Sequence, residues 1–344
     1  MEVGAASKCG THTAVNQDAC CGIHFADGER AIGLVAVFDG HGALGEFASE
    51  AALCALRTAA PTNAAMLDHW MEAPHQAMTE LMEVCQRAVI DAHQRDALPP
   101  VYEYAVGGAA AVKYTLSETG KEFKVCGASG TRQEPVDFGC TAAIAVVLRE
   151  STTSRPRIVY ATAGDSVVMV AASDEDGNVG CHMLGEVHNA SVEAERRRLK
   201  EHETSEGYRS LVVEADGSAY LQAVEGPLRG RCLQPTRGLG HPVFSLYGFS
   251  TEPAVSGPHE LSGSNLSFLS GYGVEAFAVI VVSDGVSDVI GPETVLEHVV
   301  DAGPGEPGAA TRAAKVIINE AGALADLSTG GQDRDDASAA VVCW

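Results

Sequence analysis

The chain has 344 residues, 46% hydrophobic and 20% charged, enough for one large or two ordinary domains with a sizeable core. Its formal net charge of −23 argues against nucleic acid and anionic membrane partners, both of which need basic patches.

Residues 10–23 read as a first strand carrying Asp18, and residues 31–38 as its partner. The partner ends in Leu34-Val35-Ala36-Val37-Phe38, a run too short for a helix and suited to a strand buried on both faces. Asp39-Gly40-His41-Gly42 follows at once. Glycines on either side of His41 let the backbone come close to something and leave its carbonyls accessible. A carboxylate fixed at the end of a buried strand suits a metal ligand, although an isolated Asp-Gly is also an ordinary polar turn. Residues 44–59 predict an amphipathic helix ended by Pro61. Pro74 opens another helix through about residue 93, with Met78, Leu81, Met82, Cys85 and Val89 on one core-facing side.

Residues 98–138, with Pro99-Pro100 and glycine pairs, predict an inserted loop or ribbon anchored by Tyr114 and Phe123. A strand at 140–148 follows. Residues 157–163 and 167–172 read as a hairpin around Gly164-Asp165-Ser166, where the acid is either part of the turn or part of a metal site. Residues 191–202 predict a charged helix with a solvated face, and 208–213 with 218–224 a hairpin around Asp216-Gly217. Arg237-Gly238-Leu239-Gly240 lies in an irregular region leading to an apolar strand at 276–282, which ends in Ser283-Asp284-Gly285. Gly291-Pro292-Glu293 starts a helix that Gly303 stops, and 311–324 is the last helix. Asp335-Asp336 then precedes a final strand at 337–344.

No repeat or linker separates two cores, so one domain over residues 1–344 is expected. Ten cysteines lie without CxxC or zinc spacing and read as free thiols of a reducing compartment. No secretion leader, bilayer-length apolar run or lipidation signature is visible, and Glu2 excludes myristoylation. A soluble, monomeric, cytoplasmic or nuclear protein is the expectation. Acids at four separated strand edges, Asp18, Asp39, Asp284 and Asp335-Asp336, are the pattern of a hard-metal cluster. Oxygen-only ligands favour magnesium or manganese over zinc.

In this order along the chain, Asn16-Gln17-Asp18-Ala19, Val37-Phe38-Asp39-Gly40-His41-Gly42, Gly139-Cys140-Thr141-Ala142, Ala163-Gly164-Asp165-Ser166, Thr236-Arg237-Gly238-Leu239-Gly240, Ser283-Asp284-Gly285-Val286 and Asp335-Asp336-Ala337-Ser338 are strongly specific. Together they make the chain resemble the metal-dependent serine/threonine protein phosphatases (the PPM family, type two C). Asn16-Gln17-Asp18 is the form common in plant-like and protist-like branches. The resemblance implies an α+β fold, a four-layer αββα sandwich of two antiparallel β-sheets flanked by helices, with metals at one edge. It implies that Asp39, the Gly40 carbonyl, Asp284 and Asp335 hold two magnesium or manganese ions, with Asp18 nearby and Asp165 helping to hold a weaker third. It makes His41 the candidate general acid and phosphoproteins the substrates. Two ions sharing a water would supply the nucleophile and hold the phosphate in line.

Four positions depart from the family pattern. Gln17 stands for a glutamate, His241 for an acid, Ser287 for a tryptophan, and Thr13 for the arginine that grips phosphate. A lost charge-assisted contact of that kind removes about 1.5–3 kcal/mol. His12, Lys8 and Arg30 are the candidate replacements. The alternatives to a working phosphatase are a pseudophosphatase that binds phosphoproteins, for which Thr13 and His241 speak, and a hydrolase of small phosphate esters.

Overall fold

A computed structural model describes residues 1–11, 15–93, 101–104, 112–117, 121–127, 130–174, 176–203, 208–215, 218–261, 275–330 and 334–344. Two five-stranded antiparallel sheets form its centre. One has the strand order Glu2–Lys8, Ala337–Cys343, Glu275–Val282, Val167–Ser173, Val179–Leu184. The other runs Ala254–Glu260, Arg157–Ala163, Ala142–Arg149, Arg30–Phe38, Ala19–Asp27.

Side-chain alternation explains why the strands are apolar throughout. Along Arg30–Phe38, Val35 and Val37 face the other sheet and pack with Ala145, Val170 and Val281. Leu34, Ala36 and Phe38 face the opposite way, onto Leu56, Leu67, Met78 and Met82 of the helices Gly45–Ala59, Ala64–Glu72 and Pro74–Ala92. On the far side Met169, Ile280 and Val341 pack against helices Pro292–Asp301 and Ala309–Thr329 through Val295, Val299, Ala314 and Ile317. The central strands of both sheets are therefore dry on both faces, each large buried side chain contributing about 1.5–3 kcal/mol. The result is the expected αββα sandwich.

Several local readings are corrected. Residues 10–23 are not one strand. The first strand is Glu2–Lys8, and the next starts only at Ala19. Gly4 makes the former possible, because a Cβ there would collide with the backbone of Thr311 on the last helix. Helix Ala64–Glu72 went unread; Asn63 caps it, its Oδ1 accepting from the Met66 amide at 3.0 Å. Arg157–Ala163 and Val167–Ser173 are not a hairpin, since they belong to different sheets. Gly164, with φ of 114°, lets the chain step across between them, which carries Asp165 to the sandwich edge.

Helix Glu193–Glu203 is more than a solvated face. Its Glu195 is buried and accepts from Arg237 at 2.6 Å, Arg198 at 2.7 Å and the Thr236 hydroxyl at 2.8 Å. Against the burial that would raise it, these donors hold the Glu195 carboxyl down at about 2. Helix Glu193–Glu203 lies beside a small sheet of Ser210–Ala215, Ser218–Ala223 and Cys232–Leu233. Residues 98–138 include a four-stranded sheet, Val101–Tyr104, Val112–Leu116, Glu122–Gly127 and Gly130–Pro135, in which the Tyr114 and Phe123 rings meet edge-on at 5.5 Å. No helix is long and apolar enough to cross a membrane among the described residues. All ten cysteines are free.

Candidate active site

Asp39 ends the buried strand Arg30–Phe38, and its neighbours leave it little freedom. Its amide donates to the Thr141 hydroxyl at 3.1 Å, and its carbonyl accepts from the Thr141 amide at 2.8 Å. The Thr141 hydroxyl in turn meets the Ser166 hydroxyl at 2.6 Å. These contacts tie the first acid to the crossover that carries Asp165. One ligand atom each from Asp39, His41 and Asp165 lies within 4.8 Å of the others.

The remaining acids converge on the same point. Asp18 accepts from the Ser283 hydroxyl at 2.8 Å, which places it against the residue preceding Asp284. Ser283 Oγ also accepts from the Ser338 amide at 2.9 Å, joining the strand ends at 282 and 337. Burial first, and then the charges of Asp284, Asp18, Asp335 and Asp165, push the Asp39 carboxyl well above the ordinary range. Burial with Asp335 and Asp165 does the same to Asp284. Asp18, through burial, Asp336 and Asp335, and Asp165, through burial, Asp288 and Asp335, are each raised to about 7. Carboxylates that raise one another in this way share one confined space. Asp18 Oδ1, both Asp165 oxygens and Asp284 Oδ1 are buried without a hydrogen-bond partner. Such orphaned acceptors are costly unless a cation completes them, so the donor set fits a hard divalent metal.

The adjacent acid Asp336 does something different. Its Oδ1 accepts from the Gly10 amide at 2.6 Å and its Oδ2 from the Gln17 amide at 2.7 Å, clamping the segment that presents Asp18. Gln17 donates its side-chain amide to Glu46 at 2.9 Å and to the Gly42 carbonyl at 3.2 Å. A glutamate at position 17 would lose both donations and face Glu46 with like charge. Gly40 is packed so tightly that a Cβ would collide with the Gly45 carbonyl.

His41 lies on a short strand, Gly40–Gly42, paired with Phe138–Cys140, whose other neighbour is Leu239–Gly240. His41 is opposite Gly139, and so is Gly240. A Cβ at Gly139 would collide with the ring of His241, so this glycine admits that ring, which stacks on His41 at 5.8 Å. Burial and His241 lower His41 to about 3, keeping its imidazole neutral. His241 has φ of 49°, is fully buried, and pairs through Nδ1 with Asp137 at 2.9 Å. Sequence reading treated His241 as a departure and did not single out Asp137, Ser283 or Thr141 as positioning groups. Only their spatial partners reveal them.

The candidate phosphate cations do not gather here. Arg30 pairs with Asp27 at 2.9 Å and with Asp68. It starts the strand that Phe38 ends, roughly 26 Å away at the usual rise per residue. Lys8 reaches Asn319 on the last helix at 3.5 Å. Thr13 and His12 lie outside the described residues.

The family model for protein phosphatase 2C matches residues 103–326. A probable protein phosphatase 2C from Arabidopsis thaliana is 26% identical over 320 residues, covering 93% of this chain and 78% of the relative. Among solved structures, a serine-threonine phosphatase 2C from Toxoplasma gondii aligns over 99% of this chain and 94% of its own, with a TM-score of 0.61 at 16% identity. A C. elegans sex determining protein aligns over 99% of this chain and 64% of its own, with a TM-score of 0.59 at 17% identity. These two share the fold. With the family match spanning well over half of the sequence, the chain belongs to the protein phosphatase 2C family of metal-dependent serine/threonine protein phosphatases.

Proposed function

We propose that this chain hydrolyses phosphoserine and phosphothreonine in proteins, using two magnesium or manganese ions and a weaker third. The observation that carries the reading is the mutually repelling group Asp18, Asp39, Asp165, Asp284 and Asp335, the first three buried, with oxygens of Asp18, Asp165 and Asp284 left unpartnered. Asp39, Asp284, Asp335 and the Gly40 carbonyl would hold the paired ions, Asp18 would lie beside them, and Asp165 would serve the third. Bound there, divalent ions supply charge neutralisation at the phosphoryl group and a water of lowered pKa.

The chain's own groups do the rest. Thr141 and Ser283 hold Asp39 and Asp18 in place before substrate arrives. His41 gives a proton to the leaving serine or threonine oxygen, which is too basic to depart unaided. Burial keeps the ring neutral before substrate binds, and a dianionic phosphoryl group beside it favours the charged form. His41 and His241 being stacked fixes the orientation of the donor.

A phosphoprotein-binding pseudophosphatase is favoured by one observation: Arg30 and Lys8 are committed elsewhere. Release of phosphate from a phosphothreonine peptide decides. The phosphatase reading requires release with manganese, none with EDTA, and near-complete loss in Asp39→Asn and Asp284→Asn with circular dichroism unchanged. Either variant keeping most of its activity and its calorimetric manganese affinity would refute the site assignment.

A further inference from the structure

A cavity of about 200 Å³ has Gly42 and Ala43, the two residues after His41, in its floor. His241, whose ring stacks on that of His41, also lines it. Phe123 and Tyr114 of the inserted sheet make one wall, and Leu228, Leu233 and Phe244 make the other. We propose that this cavity is a subsite for one apolar side chain of the phosphoprotein substrate, close in sequence to the phosphorylated residue. The inference rests on the phosphatase reading for the identity of the ligand, and its test separates the two.

Charge decides the class of occupant. Arg231 would be the natural anion hook, but its guanidinium is occupied. It donates to Glu134 from Nε at 2.9 Å and from Nη2 at 2.5 Å, donates to the Tyr114 hydroxyl at 2.7 Å, and lies 5.7 Å from the centre of that ring. Glu134 is buried and also pairs with Arg132. Asp137 spends one oxygen on His241 Nδ1 at 2.9 Å and the other on the Val243 amide at 2.7 Å. Each charged side chain lining the cavity is thus already paired, and beside the buried, unpartnered Nε2 of His241 what remains to meet a ligand is mainly aromatic and aliphatic. An acidic or basic side chain entering here would lose water and meet no unpaired charge. The size is right for one side chain, since an engineered apolar cavity of about 150 Å³ admits benzene.

Arg231 has a second consequence. Tyr114 and Glu134 belong to the inserted sheet, whereas Arg231 directly precedes Cys232–Leu233 of the small sheet. The ion pair fastens the two walls to each other, so the cavity is built before substrate binds. Position follows from the backbone. Gly42 and Ala43 are the next residues after His41, so the floor lies within roughly 8 Å of it at 3.8 Å per Cα step. An extended peptide advances about 3.3 Å per residue, placing the apolar residue within about three of the phosphoresidue.

The test uses the full chain with saturating manganese and phosphothreonine peptides alike except for Leu or Ala at each position from −3 to +3. Leu at one position should raise kcat/KM by about tenfold or more over Ala, as expected for burying a leucine side chain. Cys232 is exposed at the cavity rim, and Cys232→Trp fills the opening. In that variant the Leu/Ala ratio should fall below about twofold, a ratio that any general loss of activity leaves unaffected. Binding is read separately with the hydrolysis-resistant difluoromethylene phosphonate of the preferred peptide. It should slow alkylation of Cys232 by iodoacetamide, the Ala peptide should not, and the exposed Cys54 on helix Gly45–Ala59 serves as internal control. Protection of Cys232 without turnover would keep the subsite and overturn the phosphatase reading. Turnover with no positional preference and no protection, or a preference that survives Cys232→Trp, would overturn the subsite.

Discussion

Replacing Asp165 by Asn should stabilise the metal-free protein at high pH and blunt its response to metal. Asp165 is raised from 3.8 to about 7 by burial, Asp288 and Asp335. Its folded-state pKa therefore lies above its unfolded one, and the folded chain binds that proton more tightly. Stability from this group is present below about pH 4 and is lost as pH climbs to about 7. Keeping the charge buried above pH 7 costs about 4 kcal/mol. Asn removes the charge but leaves an amide to be partnered, at about 1–3 kcal/mol. A net gain of about 1–3 kcal/mol remains at pH 8. With an unfolding entropy of about 0.7 kcal/mol/K for a chain this long, Tm rises by about 1–4 °C. At pH 4 the wild-type carboxyl is already neutral and the variant gains nothing. Thermal unfolding followed by fluorescence in EDTA at pH 4, 6 and 8 measures this directly. Manganese should then raise the wild-type Tm more than that of the variant, because the carboxylate is what the cation relieves. A Tm difference that stays constant across the three pH values would refute the buried-charge argument.

His41→Ala should slow phosphopeptide hydrolysis by about 10²–10⁴-fold and p-nitrophenyl phosphate hydrolysis far less, because nitrophenolate leaves without a proton; equal losses would remove His41 from the acid role. Glu195→Ala strands Arg198 and Arg237 and should lower stability by about 3–5 kcal/mol, read from denaturant midpoints, with a shift under about 1 kcal/mol showing that the ion pairs are dispensable. Thr13→Arg should lower KM for a phosphopeptide about ten- to a hundredfold with a smaller change in kcat. No improvement there would mean that another cation already grips the phosphate.

The strand ending in Asp39 was legible in the sequence because burial on both faces writes a continuous apolar run, and Val35, Val37, Leu34 and Phe38 are apolar for that reason. Helices opened by proline, Pro74–Ala92 and Pro292–Asp301, were legible for a local reason as well, since proline suits the first turn. The acids Asp18, Asp39, Asp284 and Asp335 stood out because each adjoins such a run. Tertiary structure alone decided the rest. Strand Glu2–Lys8, poor in β-formers, exists through its pairing with Ala337–Cys343. Whether two consecutive strands form a hairpin or change sheets depends on which partners the rest of the chain offers, and Gly164 permits either. Asp335 and Asp336 are chemically alike, yet Asp336 clamps the Gly10 and Gln17 amides while Asp335 joins the other acids, a distinction made by strand direction. The pairing of Asp137 with His241 spans 104 residues, and the left-handed backbone at His241 carries no local signal. Local energetics act over a turn or a strand and can be read from neighbouring letters, whereas contacts between distant segments become readable only when the whole sandwich brings them together.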